Sequence, residues 1–473
     1  MGLLSTNHSG ERRYPSGLPD PVQAPSFQGG LRDKWTKGRR EEAADSTALL
    51  AHLDCSAVRS LYLHLPFCFH KCHYCDFYSI VDSRKRMNAF ADRLIDEMRS
   101  IGPRVRGNRI RTIFVGGGTP TLLPAGNWRR MLAALHETFD LSEWAEFTVE
   151  ANPETVTPEL LRVLISGGVN RMSMGAQSFN PTHLKTLERW HDPESVATSL
   201  QMIRDAGITN VNLDLIFAVP GQTMDEWRLD LDIALSLKPS HLSCYSLMYE
   251  PNTPLTKKLK LGQLHRVDEN LEAAMYEYTL DTLAAAGFEH YEISNWAGRE
   301  SGKSEVGSEG KVGSRKWEVG SSEAGPSLST FASLPPSAFR LSTSNRCLHN
   351  LAYWLNHDWL AFGPSASGHV AGVRWKNVPH LGRYLAPGSS GGRTPIQDVE
   401  QLGADASIGE QIMLRIRLIE GIDHAWLDAN LNEPRRAAMQ RQIELGFLER
   451  TPTHVRLTRK GLLLADTVAA ELL

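Results

Sequence analysis

The stretch that decides the fold is Leu61–Ser79, LYLHLPFCFHKCHYCDFYS, in which an alternating apolar run ends in three closely spaced cysteines. Leucine at every second position predicts a short β-strand over Leu61–Leu65, and Pro66 then stops the strand. The loop that follows has the spacing C-x3-C-x2-C and carries Cys68, Cys72 and Cys75. Three thiolates on one loop can bind a single metal centre.

The number of cysteines limits what this centre can be. A closed zinc site or an ordinary iron–sulfur cluster takes four protein ligands. The remaining cysteines are isolated in the sequence: Cys55, Cys244 and Cys347. Three thiolates on a four-iron cluster would leave one iron open, which usually means chemistry on a bound ligand. The alternatives are three thiols without metal, or a zinc site completed by His64, His70 or His73.

The spacing, with Tyr74 before the last cysteine, resembles the signature of the radical S-adenosylmethionine (SAM) enzymes. This resemblance implies that the three cysteines bind a [4Fe–4S] cluster whose open iron is chelated by SAM. It also implies reductive cleavage of SAM to a 5′-deoxyadenosyl radical. Within that family, YLHLPFCFHKCHYCDF resembles the branch that holds oxygen-independent coproporphyrinogen III oxidase and the HemW-type heme chaperones. The resemblance runs from about Ser60 to the C-terminus.

Composition places the chain among soluble globular proteins, since 41% of its 473 residues are hydrophobic and 22% are charged. A net charge of −3 gives no electrostatic reason to expect nucleic acid or an anionic membrane as partner. No run approaches the roughly 18 apolar residues of a membrane span. Clustered cysteines favour a reducing compartment, and an acidic N-terminal region disfavours a transit peptide, so we expect a cytoplasmic protein.

Changes in composition predict five regions. Residues 1–55 are rich in Pro, Gly, Ser and mixed charge, which predicts a disordered extension. Strand and helix patterns alternate over residues 56–298, and the Gly, Ser, Glu and Lys of residues 299–344 predict a flexible insertion. We assign residues 345–400 to the segment HNLAYW and a linker. Residues 401–473 predict helices and a β-hairpin, which resembles a small winged-helix-like domain.

The alternation over 56–298 predicts an α/β fold. The strand patterns are Leu61–Leu65, Thr112–Val115, Glu146–Glu150, Arg171–Met174, Asn210–Phe217 and His241–Leu247. The helical patterns between them include Met87–Ile101, Trp128–Phe139, Pro158–Ile165, Pro193–Ala206 and Met224–Leu235. Six β–α units predict a parallel sheet closed partly or completely into a (β/α)6 barrel, with reactive groups at the C-terminal ends of the strands.

Several polar residues stand where these strands end. The glycine-rich turn at 116–118 lets the backbone approach a ligand or simply turns the chain. Glu150 could accept hydrogen bonds from a ribose or ammonium group, or form a surface ion pair. Asp214 interrupts an apolar strand, where a carboxylate is costly unless it is paired. The family resemblance implies SAM binding by Tyr62, Tyr74, Gly117, Gly118, Thr119, Glu150, Gln177, Arg189 and Asp214.

The segment HNLAYW, which begins at His349, resembles the HNxxYW motif that the HemW branch associates with heme. Imidazole is a common axial ligand of heme iron, so His349 is a candidate heme ligand and Cys347 is a second. A lone histidine beside two aromatic residues is, however, more often a packed residue. Ser367 stands where relatives often carry histidine.

Two functions of different classes follow from the resemblance. The first is a heme chaperone that delivers heme to an unidentified acceptor protein, with an electron donor for the cluster as a further partner. The second is the oxidase, which decarboxylates the propionates of coproporphyrinogen III by radical chemistry. The oxidase resembles C-x3-C-x2-C-x-C, but this chain has Phe77 in place of the fourth cysteine. This difference and HNLAYW favour the chaperone. A zinc-stabilised interaction barrel is a third, non-redox interpretation.

Overall fold

Parallel strands joined by helices form the centre of the molecule. The computed structural model describes residues 45–82, 85–298, 345–386 and 392–473. Strand β1 (Ser60–Leu65) leads into the cysteine loop, which lies between two short paired strands, β2 (Phe67–Cys68) and β3 (Ile80–Val81). Five further parallel strands follow in order across the sheet: β4 (Arg109–Gly117), β5 (Asp140–Ala151), β6 (Arg171–Gln177), β7 (Asn210–Phe217) and β8 (His241–Ser246). All six predicted strands are therefore confirmed.

Helices precede, connect and follow these strands, and several of them cover one face of the sheet. They are α1 (Ser46–Leu50), α2 (Met87–Ile101), α3 (Ala125–Thr138), α4 (Pro158–Ser166), α5 (Pro181–Leu187), α6 (Pro193–Asp205), α7 (Met224–Ser236), α8 (Pro254–Lys260) and α9 (Glu269–Ala285). Side-chain caps fix several of their first turns, as where Thr157 accepts from the amide of Leu160. Leu61 and Leu63 of β1 are buried in the core that these helices share with the sheet, whereas the opposite face of the sheet is largely polar.

The sheet is a partial barrel, because the edge strands β1 and β8 each pair with a further strand outside the set of six. Beyond β8 lie β10 (Asn295–Gly298) and β9 (Phe288–Glu292), both antiparallel. Beyond β1 lies a parallel strand and then three antiparallel strands, which are β11 (Trp359–Phe362), β12 (Ser367–Val370), β13 (Val373–Asn377) and β14 (Ile396–Gln401). The prediction of a linker within 345–400 is therefore wrong, since this region extends the sheet. It also carries helices α10 (Leu348–Trp354) and α11 (Leu381–Tyr384).

The N-terminal boundary also needs correction. Residues 45–55 were expected in the disordered extension, yet Ser46–Leu50 is a helix whose Leu50 is buried in the main core. The amide of Ser46 donates to the carbonyl of Thr394 over 2.9 Å, which ties this segment to the extended sheet. The rest of the predicted extension and the predicted insertion at 299–344 lie outside the described residues.

The C-terminal region has its own apolar core, in which Ile412, Leu427 and Val455 are buried together. Its helices are α12 (Ala404–Arg415), α13 (His424–Asn430), α14 (Glu433–Glu444), α15 (Arg459–Leu462) and α16 (Ala465–Glu471). The predicted hairpin is present as β16 (Leu448–Arg450) and β17 (His454–Leu457), and β15 (Ile422–Asp423) pairs with β17 on its other side. Within the described ranges, no helix has both the length and the apolar character needed to cross a membrane.

A buried carboxylate fastens the sheet extension to helix α2. Glu97 of this helix accepts hydrogen bonds from the amide of Gly363 (2.9 Å) and the hydroxyl of Tyr384 (2.7 Å). A third bond of 3.3 Å comes from the side-chain amide of Asn377. Burial raises the pKa of Glu97, although the nearby Arg93, the Tyr384 hydroxyl and the Gly363 amide act against that rise. The region after residue 345 is thus held by polar contacts as well as by strand pairing.

We predict that Tyr384→Phe, which keeps the ring but removes the hydroxyl donor to Glu97, lowers the free energy of unfolding by about 1.5–3 kcal/mol. Urea denaturation measures this difference. Tyr278→Phe is the matched control, because that half-buried ring packs beside Arg228; its effect should stay within about 0.5 kcal/mol. An equal loss of unfolding free energy in both variants would show that the hydrogen bond to Glu97 contributes nothing to stability.

Candidate functional site

A cavity of about 1470 Å³ opens beside the cysteine loop and follows the polar face of the sheet. The structure brings all of the predicted site residues to the wall of this cavity. These residues are Tyr62, Cys68, Cys72, Tyr74, Cys75, Gly117, Gly118, Thr119, Glu150, Gln177, Arg189, Asp214 and His349. Cys347 also lines it. Ser367, in contrast, is exposed on β12 and is not part of the cavity wall.

The three cysteines of the loop are half-buried and free of disulfides. Burial raises the pKa of the Cys68 thiol, and it raises the pKa of Cys75 to about 12, with the neighbouring cysteines adding to the rise. Each of these cysteines disfavours ionisation of its neighbours, whereas a bound metal displaces the thiol protons, so the three side chains are chemically suited to a metal centre. Arg189 supplies part of that charge, because its Nη1 lies 3.8 Å from the Cys72 sulfur.

The glycine turn packs against the start of the cysteine loop. The amide of Gly118 donates to the carbonyl of Leu65 (2.8 Å), and the amide of Thr119 donates to that of Phe67 (2.7 Å). Gly117 has a φ of 106°, a conformation that side chains rarely adopt. A Cβ on Gly118 would lie 2.6 Å from the Phe67 carbonyl oxygen. The glycines are therefore required by the close approach of two backbones.

Glu150 and Asp214 place two carboxyl groups in the same cavity. Burial and the proximity of Asp214 raise the pKa of Glu150 to about 8, and burial also raises the pKa of Asp214. Glu150 accepts from the amide of Gly117 (3.1 Å). Asp214 accepts from the side chains of Asn212 (2.7 Å) and Ser173 (3.3 Å), so the carboxylate predicted to need partners has them. A positive charge placed between two such carboxyl groups would favour their ionised forms. The pair is therefore suited to bind a cationic group of a ligand.

Gln177 and Arg189 are positioned by a distorted strand end. The pairing of β6 with β7 shifts register just before Gln177, whose φ is 66° in the left-handed region. Asp230 fixes the chain that follows by accepting from the amide of Phe179 over 2.7 Å. Arg189 donates to the carbonyl of Gly175 (2.6 Å), and its buried Nε has no hydrogen-bond partner among the described residues. Such strain and an unpaired donor are typical of ligand-binding sites.

His349 lies at the far end of the cavity, where the parallel strands begin. It is 1% exposed, and burial lowers its pKa to about 3. Its Nδ1 lies 2.8 Å from the hydroxyl of Thr112, and its Nε2 lies 2.9 Å from that of Tyr353. Both ring nitrogens are thus engaged. Glu146 accepts from the amide of His349 (3.0 Å), so helix α10 is bound to strand β5 at its first turn.

Several polar residues on the inner face of the sheet were not predicted from the sequence. They are Arg171, Ser173, Asn212, Ser243 and Asn295, all of which line the cavity. The sequence did contain a signal for these residues, because side chains two positions apart on a strand point to the same face of the sheet. Asn212 precedes Asp214 by two positions, and Arg171 and Ser173 share a face on β6. Arg171 is 2% exposed, and its Nε has no partner in the described part of the chain.

Comparisons with known proteins agree with this arrangement. The model of the Radical SAM superfamily matches residues 62–233, and that of the HemN C-terminal domain matches residues 404–464. The chain is 34% identical over 363 residues to "Heme chaperone HemW" of Lactococcus lactis subsp. lactis, which covers 77% of this chain and 82% of the relative. It is 33% identical over 417 residues to the protein of the same name from Mycobacterium tuberculosis, covering 87% and 94%.

Among solved structures, the coproporphyrinogen III oxidase HemN of Escherichia coli superimposes with a TM-score of 0.71. The match covers 91% of this chain and 93% of HemN at 20% sequence identity, and it shows a shared fold. The fold is that of a radical SAM protein, with the smaller HemN C-terminal domain after it. From its similarity to the curated relatives over most of its length, the chain belongs to the HemW family within the radical SAM superfamily.

Proposed function

We propose that this protein is a heme chaperone, which binds heme beside a [4Fe–4S] cluster and SAM and delivers it to an acceptor protein. The observation that carries the proposal is Phe77. The oxidase pattern has a thiol at this position, whereas this chain has a phenyl ring that is 64% exposed and lines the cavity. The names of the most similar relatives support the same choice.

The cofactors that the radical SAM family implies fit the donor set of the cavity. Cys68, Cys72 and Cys75 would hold the cluster, and when bound the cluster supplies an electron to SAM. The backbone of the glycine turn at 116–118 and the carboxyl groups of Glu150 and Asp214 would bind the polar and cationic groups of SAM. The other wall residues assigned to SAM in this proposal are Tyr62, Tyr74, Gln177 and Arg189. A separate electron-donor protein would reduce the cluster.

The proposal is tested on protein reconstituted with iron and sulfide under anaerobic conditions. We expect hemin to bind with about 1:1 stoichiometry, as followed by its absorbance. With SAM, a reductant and coproporphyrinogen III, we expect no decarboxylated product by chromatography. Product at catalytic turnover would identify an oxidase instead. Colourless protein that contains zinc and lacks iron would favour the zinc-stabilised barrel.

We predict that Cys72→Ser abolishes cluster assembly, because two thiolates are left and the serine hydroxyl is a poor ligand for iron. The readouts are bound iron per chain and visible absorbance after reconstitution. Cys55→Ser is the matched control, since Cys55 is buried outside the cavity wall; this variant should retain its iron. Circular dichroism of both proteins checks the fold. Full iron content in Cys72→Ser would remove Cys72 from the ligand set.

Binding of SAM should strengthen with rising pH. In the free protein the Glu150 carboxyl, with its pKa raised to about 8, is mostly protonated at pH 7. The permanently positive sulfonium of SAM favours the ionised form, so binding releases a proton and the Kd falls between pH 6.5 and 8. The fall is at most about tenfold per pH unit for one carboxyl.

Calorimetry in two buffers with different ionisation enthalpies measures the protons released on SAM binding. Glu150→Gln keeps the shape of the side chain and should lose most of the pH dependence. A wild-type affinity that does not change with pH would contradict the assignment of Glu150 to the SAM site.

A further inference from the structure

The mouth of the cavity carries an unusual concentration of exposed apolar side chains. Among the large hydrophobic residues described, the four most exposed are Phe69 (70%), Met248 (66%), Phe77 (64%) and Trp190 (64%). All four line the same cavity, and we call them the apolar rim. They stand on three separate loops, so their grouping comes from the fold. Exposed apolar groups that cluster around a cavity mark a binding site.

The centre of the apolar rim is held in place. The imidazole of His70 stacks on the Trp190 indole with the ring centroids 4.3 Å apart and an angle of 17° between the planes. Phe69 meets the same indole edge-on at 6.4 Å, and the indole N–H donates to Glu188 over 3.3 Å. Three neighbours therefore fix the orientation of Trp190, although most of its surface stays open. An indole held rigid and exposed is ready to stack on a flat ligand.

The cavity has room for such a ligand besides SAM. Its volume of about 1470 Å³ exceeds the roughly 300–1,000 Å³ of pockets for a single small molecule. The polar groups assigned to SAM lie deeper, on the strand ends, and leave the apolar rim without a role. Lys71 is exposed beside the rim, where its ammonium donates to the Phe77 carbonyl over 3.4 Å. A ligand with a broad apolar face and carboxylates at its edge matches these features.

We propose that the apolar rim binds the porphyrin ring of heme at the mouth of the cavity, with the propionates directed toward Lys71 and the solvent. This inference rests on the proposed function, and it adds that the protein recognises heme through the flat face of the porphyrin ring. His349 is a poor alternative, since both of its ring nitrogens are engaged and its side chain is buried. Heme at the mouth is also within reach of an acceptor protein.

The test uses the full-length, cluster-loaded protein and two probes, hemin and iron-free protoporphyrin IX. Binding through the ring face predicts that wild-type protein binds both probes with Kd values within about tenfold of each other. Trp190→Ala should weaken both by about tenfold or more, because it removes the stacking surface. Trp190→Phe should recover most of the affinity. Met248→Ala, on a different loop from the cysteines, should weaken the binding of both probes by about threefold or more.

Leu229→Ala is the matched control, because Leu229 is 58% exposed on helix α7 and is not part of the cavity wall. Its affinity for both probes should equal that of the wild type, and iron–sulfur absorbance should be unchanged in every variant. Wild-type protein that binds neither probe would overturn the proposed function itself. Binding of hemin but not of protoporphyrin IX, with unchanged affinity in the rim variants, would support the proposed chaperone function and contradict the assignment of heme to the apolar rim. Unchanged porphyrin affinity with slower cluster reduction by flavodoxin would make the rim an electron-donor surface instead.

Discussion

The structure depends on the contact between the glycine turn and the first strand. One backbone hydrogen bond joins Gly118 to Leu65 at the end of β1, and a second joins Thr119 to Phe67 of β2, where the cysteine loop begins. A Cβ on Gly116 would lie 2.7 Å from the Glu150 carboxylate, and one on Gly117 would lie 2.5 Å from the His64 ring. The strand, the loop and the carboxyl group can approach only because three consecutive side chains are absent. This contact sets the distance between the thiols and the polar groups of the neighbouring strands.

The second constraint is that the inner face of the sheet is polar. Carboxyl, amide and hydroxyl groups on this face would be costly to bury without partners, and the structure supplies the partners from adjacent strands. Asp214 illustrates this, since Asn212 and Ser173 both donate to it. Two of the exceptions are the Nε atoms of Arg171 and Arg189, which have no partner among the described residues. Both arginines line the cavity, so a ligand bound there would be able to accept hydrogen bonds from them.

Local sequence patterns were sufficient to predict the parallel strands and helices of the core. Strand β7 and helix α2 have the bounds that periodicity predicts, because each buries one continuous apolar surface. The sheet extension was missed because its strands are four to six residues long and pair across distant parts of the chain, as Ser60 does with Trp359. The site residues could be grouped by strand ends and by family resemblance. The environment of His349 could not be predicted, because its partner Thr112 lies on a strand that is far away in the sequence.

That environment explains what the HNLAYW helix does within the fold. The amide of Cys347 donates to the hydroxyl of Tyr291, which lies 2.8 Å from Nε2 of His241. Burial lowers the pKa of His241 far enough to keep it neutral, so Nε2 accepts from Tyr291 and Nδ1 donates to Asn212 over 2.6 Å. Asn212 in turn donates to Asp214. Every donor in this series of hydrogen bonds points toward Asp214, so the acceptor oxygen of Asp214 sets the direction of the series as far as the first turn of the helix. The HNLAYW segment is thus part of the hydrogen-bonded framework that positions Asp214 in the cavity.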